Sequence, residues 1–284
     1  MEKKLEFQYK LRKLSRSTRP GGHKSSVRGP GVIFNRCVPL INYPDPRRLD
    51  VKSSLLDPFE QWLVKEYKQR VSISVVAVID LSTSTSFNGS ISGLKVVKEF
   101  LKGLSRSSAR YGDRLGLVGF DNRFREEWYF SVARRNNLTE NVIDDLVEGY
   151  VGERGHKGLT QVINWLPKES SLVFFVSDFH WSLDQLEKFL VSNAKHQVIP
   201  VVLEDDVEKT GFPNKGVAFV TDIETGKKRL VWLSDEFNDK LSQRYNKRKE
   251  ILNSLCLKQQ IIPLYMRGNF DAEKVTAYFY GDQF

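Results

Sequence analysis

Cysteine is almost absent from this chain: Cys37 and Cys256 are the two among 284 residues, far apart and without a metal-type spacing. A disulfide framework and a cysteine-based zinc site are therefore not expected, and both read as independent reduced thiols. Long apolar runs are missing too, since none approaches the ~20 residues that a membrane-spanning helix needs. Glu2, Lys3, Lys4 and Glu6 stand where a signal peptide carries its apolar stretch, so a cytoplasmic location is expected. The sequence has no GxxxxGK phosphate loop, no HxxxH or HExxH spacing and no GxSxG elbow. P-loop nucleotidases, zincins and α/β-hydrolases are excluded accordingly. Neither an internal repeat nor a low-complexity tract occurs.

Negative charge is short, but only at one end. The formal charge is +9, and residues 1–36 hold ten Lys or Arg against two Glu, which is +8 of that total. A protein reading nucleic acid through its folded body carries a basic stripe there, interleaved with aromatics, so no nucleic-acid partner is expected. The basic arm allows peripheral contact with an anionic membrane or an acidic partner by long-range attraction, although a purely structural arm accounts for it more simply. Trp62, Trp128, Trp165, Trp181 and Trp232 are scattered along the chain, which suits core packing better than base stacking.

What the sequence does have is a series of short charge-free apolar runs, each closed by a polar residue. Val71–Ile79 ends at Asp80, with hydroxyls following at Ser82 and Ser84. Such a run reads as a strand buried on both faces. Ile91, Leu94, Val97, Leu101 and Leu104 mark the apolar stripe of a helix, and Leu115–Phe120 is a second buried strand. Strand, helix, strand is the crossover of a parallel sheet. Glu127–Val132 follows as an edge strand, residues 142–147 and 160–166 as helices, and Leu172–Ser177 as a strand closed by Asp178. Ser182 with Gln185 has the capping-box form for a helix from Leu183. Val198–Leu203 is a further strand, residues 217–221 and 229–232 a hairpin, residues 235–257 a long helix, and Ile261–Met266 the last strand.

Ahead of this lie less regular pieces. Leu5, Phe7, Tyr9 and Leu11 alternate with polar residues, as in a half-buried strand. Residues 15–35 read as irregular, the segment around Pro44 and Pro46 as a stiff connector, and residues 58–70, with Phe59, Trp62, Leu63 and Tyr67, as helical. The expected organisation is a mostly parallel α/β domain over residues 71–284, flanked by helices, with residues 1–70 as a basic extension and connector packed on the core.

Ligands of open parallel sheets sit beyond the carboxyl ends of the strands, and Asp80 and Asp178 both stand at such ends. Asp80, Ser82 and Ser84 place three oxygen side chains at alternate positions of one loop, and Thr160 could supply another hydroxyl. An all-oxygen set suits a hard divalent cation such as Mg²⁺, with Mn²⁺ or Ca²⁺ as alternatives. Asp and Ser also cap helices and loops routinely, so Asp-x-Ser-x-Ser alone is a weak pattern.

These residues resemble the metal-ion-dependent adhesion site of von Willebrand factor A domains, in which Asp80, Ser82, Ser84, Thr160 and Asp178 would match the five metal positions. More narrowly, residues 21–266 resemble the von Willebrand A-like family called domain of unknown function 58. The matching pieces are Gly22-His23-Lys24-Ser25, Pro44-Asp45-Pro46-Arg47-Arg48-Leu49-Asp50, the Asp80 loop, Gly112-Asp113-Arg114-Leu115-Gly116-Leu117, Ser177-Asp178-Phe179 and Asp222-Ile223-Glu224-Thr225-Gly226. The resemblance implies a non-enzymatic adaptor that works with a MoxR-type AAA+ ATPase to assemble or activate a metalloenzyme or other client complex. The spacing from Val38 to Glu60 is similar to the MxaS-type members of methanol-dehydrogenase gene clusters. Two departures stand out: Thr85 where the family often has Met, and Phe179 where adhesion-type domains have Gly.

The rival class is a metal-dependent phosphohydrolase using Asp80 and Asp178. A haloacid-dehalogenase motif would need a second Asp at position 82, which here is Ser82, so the general acid is missing. A zinc site built on His156 and His180 lacks any supporting spacing.

Overall fold

Seven consecutive residues, Ser74 to Asp80, are buried; all seven pair with a strand on one side and Val75–Ile79 with a strand on the other, as the charge-free run that ends at Asp80 dictates. In the computed structural model, the residues described are 5–11, 20–86, 93–134, 137–150, 152–204, 216–221 and 228–281. They fall into two compact units: Lys10–Ile73 with Arg110–Asp113, and Met1–Tyr9 with Ser74–Ala109 and Arg114–Phe284.

The smaller unit is an antiparallel ribbon. Strand β1 (Pro20–Pro39) pairs with β2 (Leu63–Val71), with Val38 opposite Val64 and Cys37 opposite Lys65. A 3-10 turn (Pro46–Arg48) and the short helix α1 (Val51–Leu55) join them, each started by an aspartate that accepts backbone N–H groups, Asp45 and Asp50. This corrects two expectations, since residues 20–35 are extended rather than irregular and residues 63–70 are strand rather than helix. The helix-like spacing misled because Phe59 and Trp62 are exposed, while Glu66 occupies an inward strand position. There its carboxylate accepts from Arg36 Nε at 2.9 Å and Asn35 Nδ2 at 3.1 Å. The apolar run is also split: β2 ends at Val71, and Ile73 N–H donates to Asp113 Oδ1 at 2.9 Å before the next strand begins. His23 Nε2 meets the other oxygen of Asp113 at 2.7 Å.

The larger unit is a doubly wound α/β sheet. Its strands are β3 (Ser74–Asp80), β4 (Arg114–Phe120), β5 (Phe124–Ala133), β6 (Leu172–Ser177), β7 (Gln197–Glu204) and, after the hairpin β8 (Gly216–Thr221) and β9 (Lys228–Leu233), β10 (Leu264–Arg267). The order across the sheet is β5-β4-β3-β6-β7-β10, all parallel except β5. The helices are α2 (Thr83–Ser86), α3 (Gly93–Tyr111), α4 (Glu140–Glu148), α5 (Leu159–Val162), α6 (Leu183–Ser192), α7 (Asp235–Lys258) and α8 (Ala272–Tyr280). The hairpin and the long helix stand as expected. Helix α8 continues beyond the last element foreseen, and residues 222–227, expected as the hairpin turn, lie outside the described residues.

Strand alternation divides the core between two faces. Val173 and Phe175 of β6 pack with Leu186, Phe189, Leu252 and Leu255. Phe174 faces the other way, its ring 5.4 Å from Phe100 of α3 and 6.1 Å from Phe279 of α8. Phe7 joins this second face, stacking on Phe100 at 5.8 Å, and its N–H donates to Ser107 Oγ at 3.0 Å. The N-terminal alternation is therefore real in burial, yet among the described residues 5–11 form no strand ladder. Gly103 permits the approach, because a Cβ there would lie 2.4 Å from the carbonyl oxygen of Leu5. Of the tryptophans, Trp128 and Trp181 are core, whereas Trp62 and Trp165 are exposed.

Candidate functional site

Neighbouring strands β3 and β6 flank the point where strand order reverses, with Ile79 opposite Val176. The next residues, Asp80 and Ser177, consequently emerge side by side at the carboxyl edge of the sheet. Asp80 is fully buried. Its Oδ1 accepts from Ser82 N–H at 3.0 Å, and its Oδ2 accepts from Ser177 Oγ at 2.6 Å and Trp181 Nε1 at 2.9 Å. Burial pushes the Asp80 carboxyl up to about 6, the nearby charge of Asp178 adds to the rise, and the hydroxyl and amide donors of Ser177 and Ser82 oppose it.

Ser82 and Ser84 hold their hydroxyl oxygens 3.0 Å apart, so the alternate spacing does bring them together. Asp178 follows Ser177, and its Oδ1 accepts from His180 N–H at 3.1 Å. Between them Phe179 takes φ +53°, a left-handed conformation that strains a residue bearing a side chain. Three contacts hold it there. Its N–H donates to Ser177 Oγ at 2.8 Å, its ring lies 5.2 Å from that of Phe175, and Arg248 Nε donates to its carbonyl at 3.1 Å. The same guanidinium also reaches the Trp181 carbonyl.

Thr160 lies in the short helix α5, after the loop that follows α4. Its hydroxyl donates to the Lys157 carbonyl at 2.9 Å, which uses its proton and leaves the oxygen's lone pairs. Gly158 N–H donates to Asp121 O at 3.0 Å, and a Cβ at Gly158 would lie 2.4 Å from the backbone of Arg123. The Asp80 loop is tied down separately, through Thr83 N–H to the Glu153 carbonyl at 3.3 Å. Asp80, Ser82, Ser84 and Asp178 are thus linked directly, by hydrogen bonds or by charge, while no hydrogen bond joins Thr160 to them.

Three side chains of this rim were not foreseen. Ser177 and Trp181 hold Asp80, and Asp121 closes β4 as a third strand-end acid. Asp121 is buried and accepts from Arg125 Nε at 2.8 Å, Tyr150 OH at 2.6 Å and Glu153 N–H at 3.1 Å. Despite its burial, the Arg125 guanidinium and these other donors hold its carboxyl below the usual range. Asp121 is accordingly a brace. The capping box at Ser182 does not form: its side chain makes no cap bond, and Gln185 N–H bonds the Ser182 carbonyl instead.

The donor set fits a hard divalent cation. A buried carboxylate beside a second one, with two hydroxyls in hydrogen-bond contact, is a concentration of oxygen that an added positive charge would relieve. Among the described residues no group of three or more His, Cys, Asp or Glu could hold a metal ion.

A doubly wound, mostly parallel sheet with its polar rim at the strand-order switch defines a Rossmann-type α/β protein. The chain belongs to the family described as "Protein of unknown function DUF58", which matches residues 57–251. A relative from Paracoccus denitrificans, described as an uncharacterized protein in the moxR 3' region, is 29% identical over 99 residues, spanning 35% of this chain and 94% of its own. Among solved structures, the conserved hypothetical protein BatB from Bacteroides thetaiotaomicron aligns with TM-score 0.45 and 12% identity, over 73% of this chain and 95% of that one. An aerotolerance-related membrane protein from Bacteroides fragilis aligns with TM-score 0.37 and 12% identity, over 73% and 96%.

Proposed function

We propose that the chain is a binding protein for a MoxR-type AAA+ ATPase, and that Asp80, Ser82, Ser84, Thr160 and Asp178 hold a divalent cation, Mg²⁺ by preference, at the docking rim. The observation that carries this is the fully buried Asp80 carboxylate at the strand end, bonded to Ser82 N–H at 3.0 Å, beside the hydroxyls of Ser82 and Ser84 held 3.0 Å apart. When bound, the cation supplies a positive centre able to accept a carboxylate from a partner. The chain's own residues do the rest. Trp181 and Ser177 fix the Asp80 carboxylate, the strained Phe179 and Arg248 fix the loop bearing Asp178, and Asp121 with Arg125 anchors the wall next to Thr160.

Support for the ATPase partner comes from family membership and from the relative's place in a moxR region. Assembly or activation of a metalloenzyme complex is the client role the family resemblance implies, with methanol dehydrogenase as the narrower reading. The rival phosphohydrolase reading has no aspartate at position 82 to act as general acid, since Ser82 stands there. The test is calorimetry of the chain with the cognate MoxR-type ATPase. Binding should require Mg²⁺ and vanish in Asp80→Ala; unchanged affinity in excess chelator would reject the reading.

A further inference from the structure

Among the described residues no hydrogen bond joins Thr160 to the rest of the proposed cation set, so its place at the rim depends on what holds the segment before it. Residues 152–158 lead into α5. They start tied to the Asp80 loop, where Thr83 Oγ1 donates to the Gly152 carbonyl and Thr83 N–H to the Glu153 carbonyl, both at 3.3 Å. Gly155 then turns the chain at φ +104°, a conformation that a side chain would strain. Immediately after that turn, the half-buried His156 lays its ring against the indole of Trp181, with centroids 5.3 Å apart and planes inclined by 22°.

Trp181 offers that ring a fixed surface. It is buried, its indole lies 6.0 Å from the ring of Phe175 and 5.7 Å from that of Phe179, and its Nε1 donates to Asp80 Oδ2 at 2.9 Å. His156 in turn opens the path to Thr160. Its carbonyl accepts from Leu159 N–H at 3.1 Å, and the next carbonyl, of Lys157, accepts from Thr160 N–H at 3.3 Å. One indole therefore meets Asp80 through its nitrogen and the segment leading to Thr160 through its ring. Near-parallel aromatic stacking contributes beyond the area it buries and requires a flat ring, whereas filling space alone accepts any side chain of similar volume. We infer that His156 is a positioning residue of the cation rim: its stack on Trp181 sets where Thr160 stands relative to Asp80. This inference rests on the cation reading and names the contact that brings the threonine into the set.

The experiment is titration of the full chain with Mn²⁺, followed by electron paramagnetic resonance, in the parent, His156→Ala, His156→Phe, Thr160→Ala and the double variant of His156→Ala with Thr160→Ala. His156→Ala should weaken Mn²⁺ binding by about three- to tenfold, the worth of one aromatic pair, with an unaltered circular dichroism spectrum. His156→Phe, which keeps a flat ring on the indole, should recover most of that loss. In the Thr160→Ala background, His156→Ala should cause no further loss, because its effect passes through the threonine. If His156→Ala misfolds, His156→Leu, which fills the space without a flat ring, should show the same weakening. Parent-like affinity in these variants, no recovery in His156→Phe, or a full additional loss on top of Thr160→Ala would overturn the inference and leave the cation site standing. Absence of Mn²⁺ binding by the parent would instead reject the cation reading, and the inference with it.

Discussion

The indole Nε1 of Trp181 donates to Asp80 Oδ2 at 2.9 Å, joining the residue that closes β3 to one 101 positions later. Two strands and the loop after the second are locked at one rim by this bond. Trp181→Phe keeps the ring and deletes the donor. A hydrogen bond to a charged group contributes about 1.5–3 kcal/mol, so urea unfolding at pH 7.5 should show a loss of that order. The loss should shrink at pH 4.5, where Asp80 is largely protonated.

Asp80 also sets a pH dependence of defined sign. Its carboxyl is pushed up from 3.8 to about 6 on folding, so the folded form binds the extra proton between those values. Stability from this group therefore falls as pH rises from about 4 to about 6. Asp121 and Glu204, both held low, act oppositely and lose stability only as pH falls. Comparing metal-free parent with Asp80→Asn isolates the first effect. The parent's stability relative to the variant should drop by about 1–3 kcal/mol between pH 4 and pH 7. A constant difference would show that Asp80 titrates normally.

Asp121 and Arg125 form a buried ion pair. Breaking one side of such a pair costs about 3–5 kcal/mol, because the other charge is left uncompensated. Asp121→Asn should lose stability on this scale in denaturant titration, yet still bind Mn²⁺ at low temperature, since Asp121 braces the rim without belonging to it.

At Phe179 the usual order of small residues should invert. Alanine ordinarily stabilises a chain relative to glycine, but φ at this position is +53°. Phe179→Ala and Phe179→Gly lose the same buried ring, and the glycine variant should be the more stable of the two by about 1 kcal/mol. Chemical denaturation of both proteins measures this directly.

The parallel sheet was legible because both of its faces are covered, so its strands read as uninterrupted apolar runs. The ribbon was not. Glu66 points inward but is neutralised by Arg36 and accepts a hydrogen bond from Asn35, which breaks the alternation a half-buried strand displays. Phe59 and Trp62 are apolar yet exposed, and that produced a false helical spacing. At the rim, the carboxylates and the paired serines could be read from position alone. Trp181 could not, since nothing in an isolated tryptophan shows that its N–H will meet a carboxylate from another strand. Nor could Asp121, whose partners Arg125, Tyr150 and Glu153 converge only in three dimensions.

Titration of Mn²⁺ followed by electron paramagnetic resonance tests the oxygen rim most directly. The parent should bind a single Mn²⁺ that Mg²⁺ displaces, with affinity falling below pH of about 6 as Asp80 takes its proton, and Asp80→Asn should bind none. Absence of binding by the parent, or binding that survives in Asp80→Asn, would contradict the account.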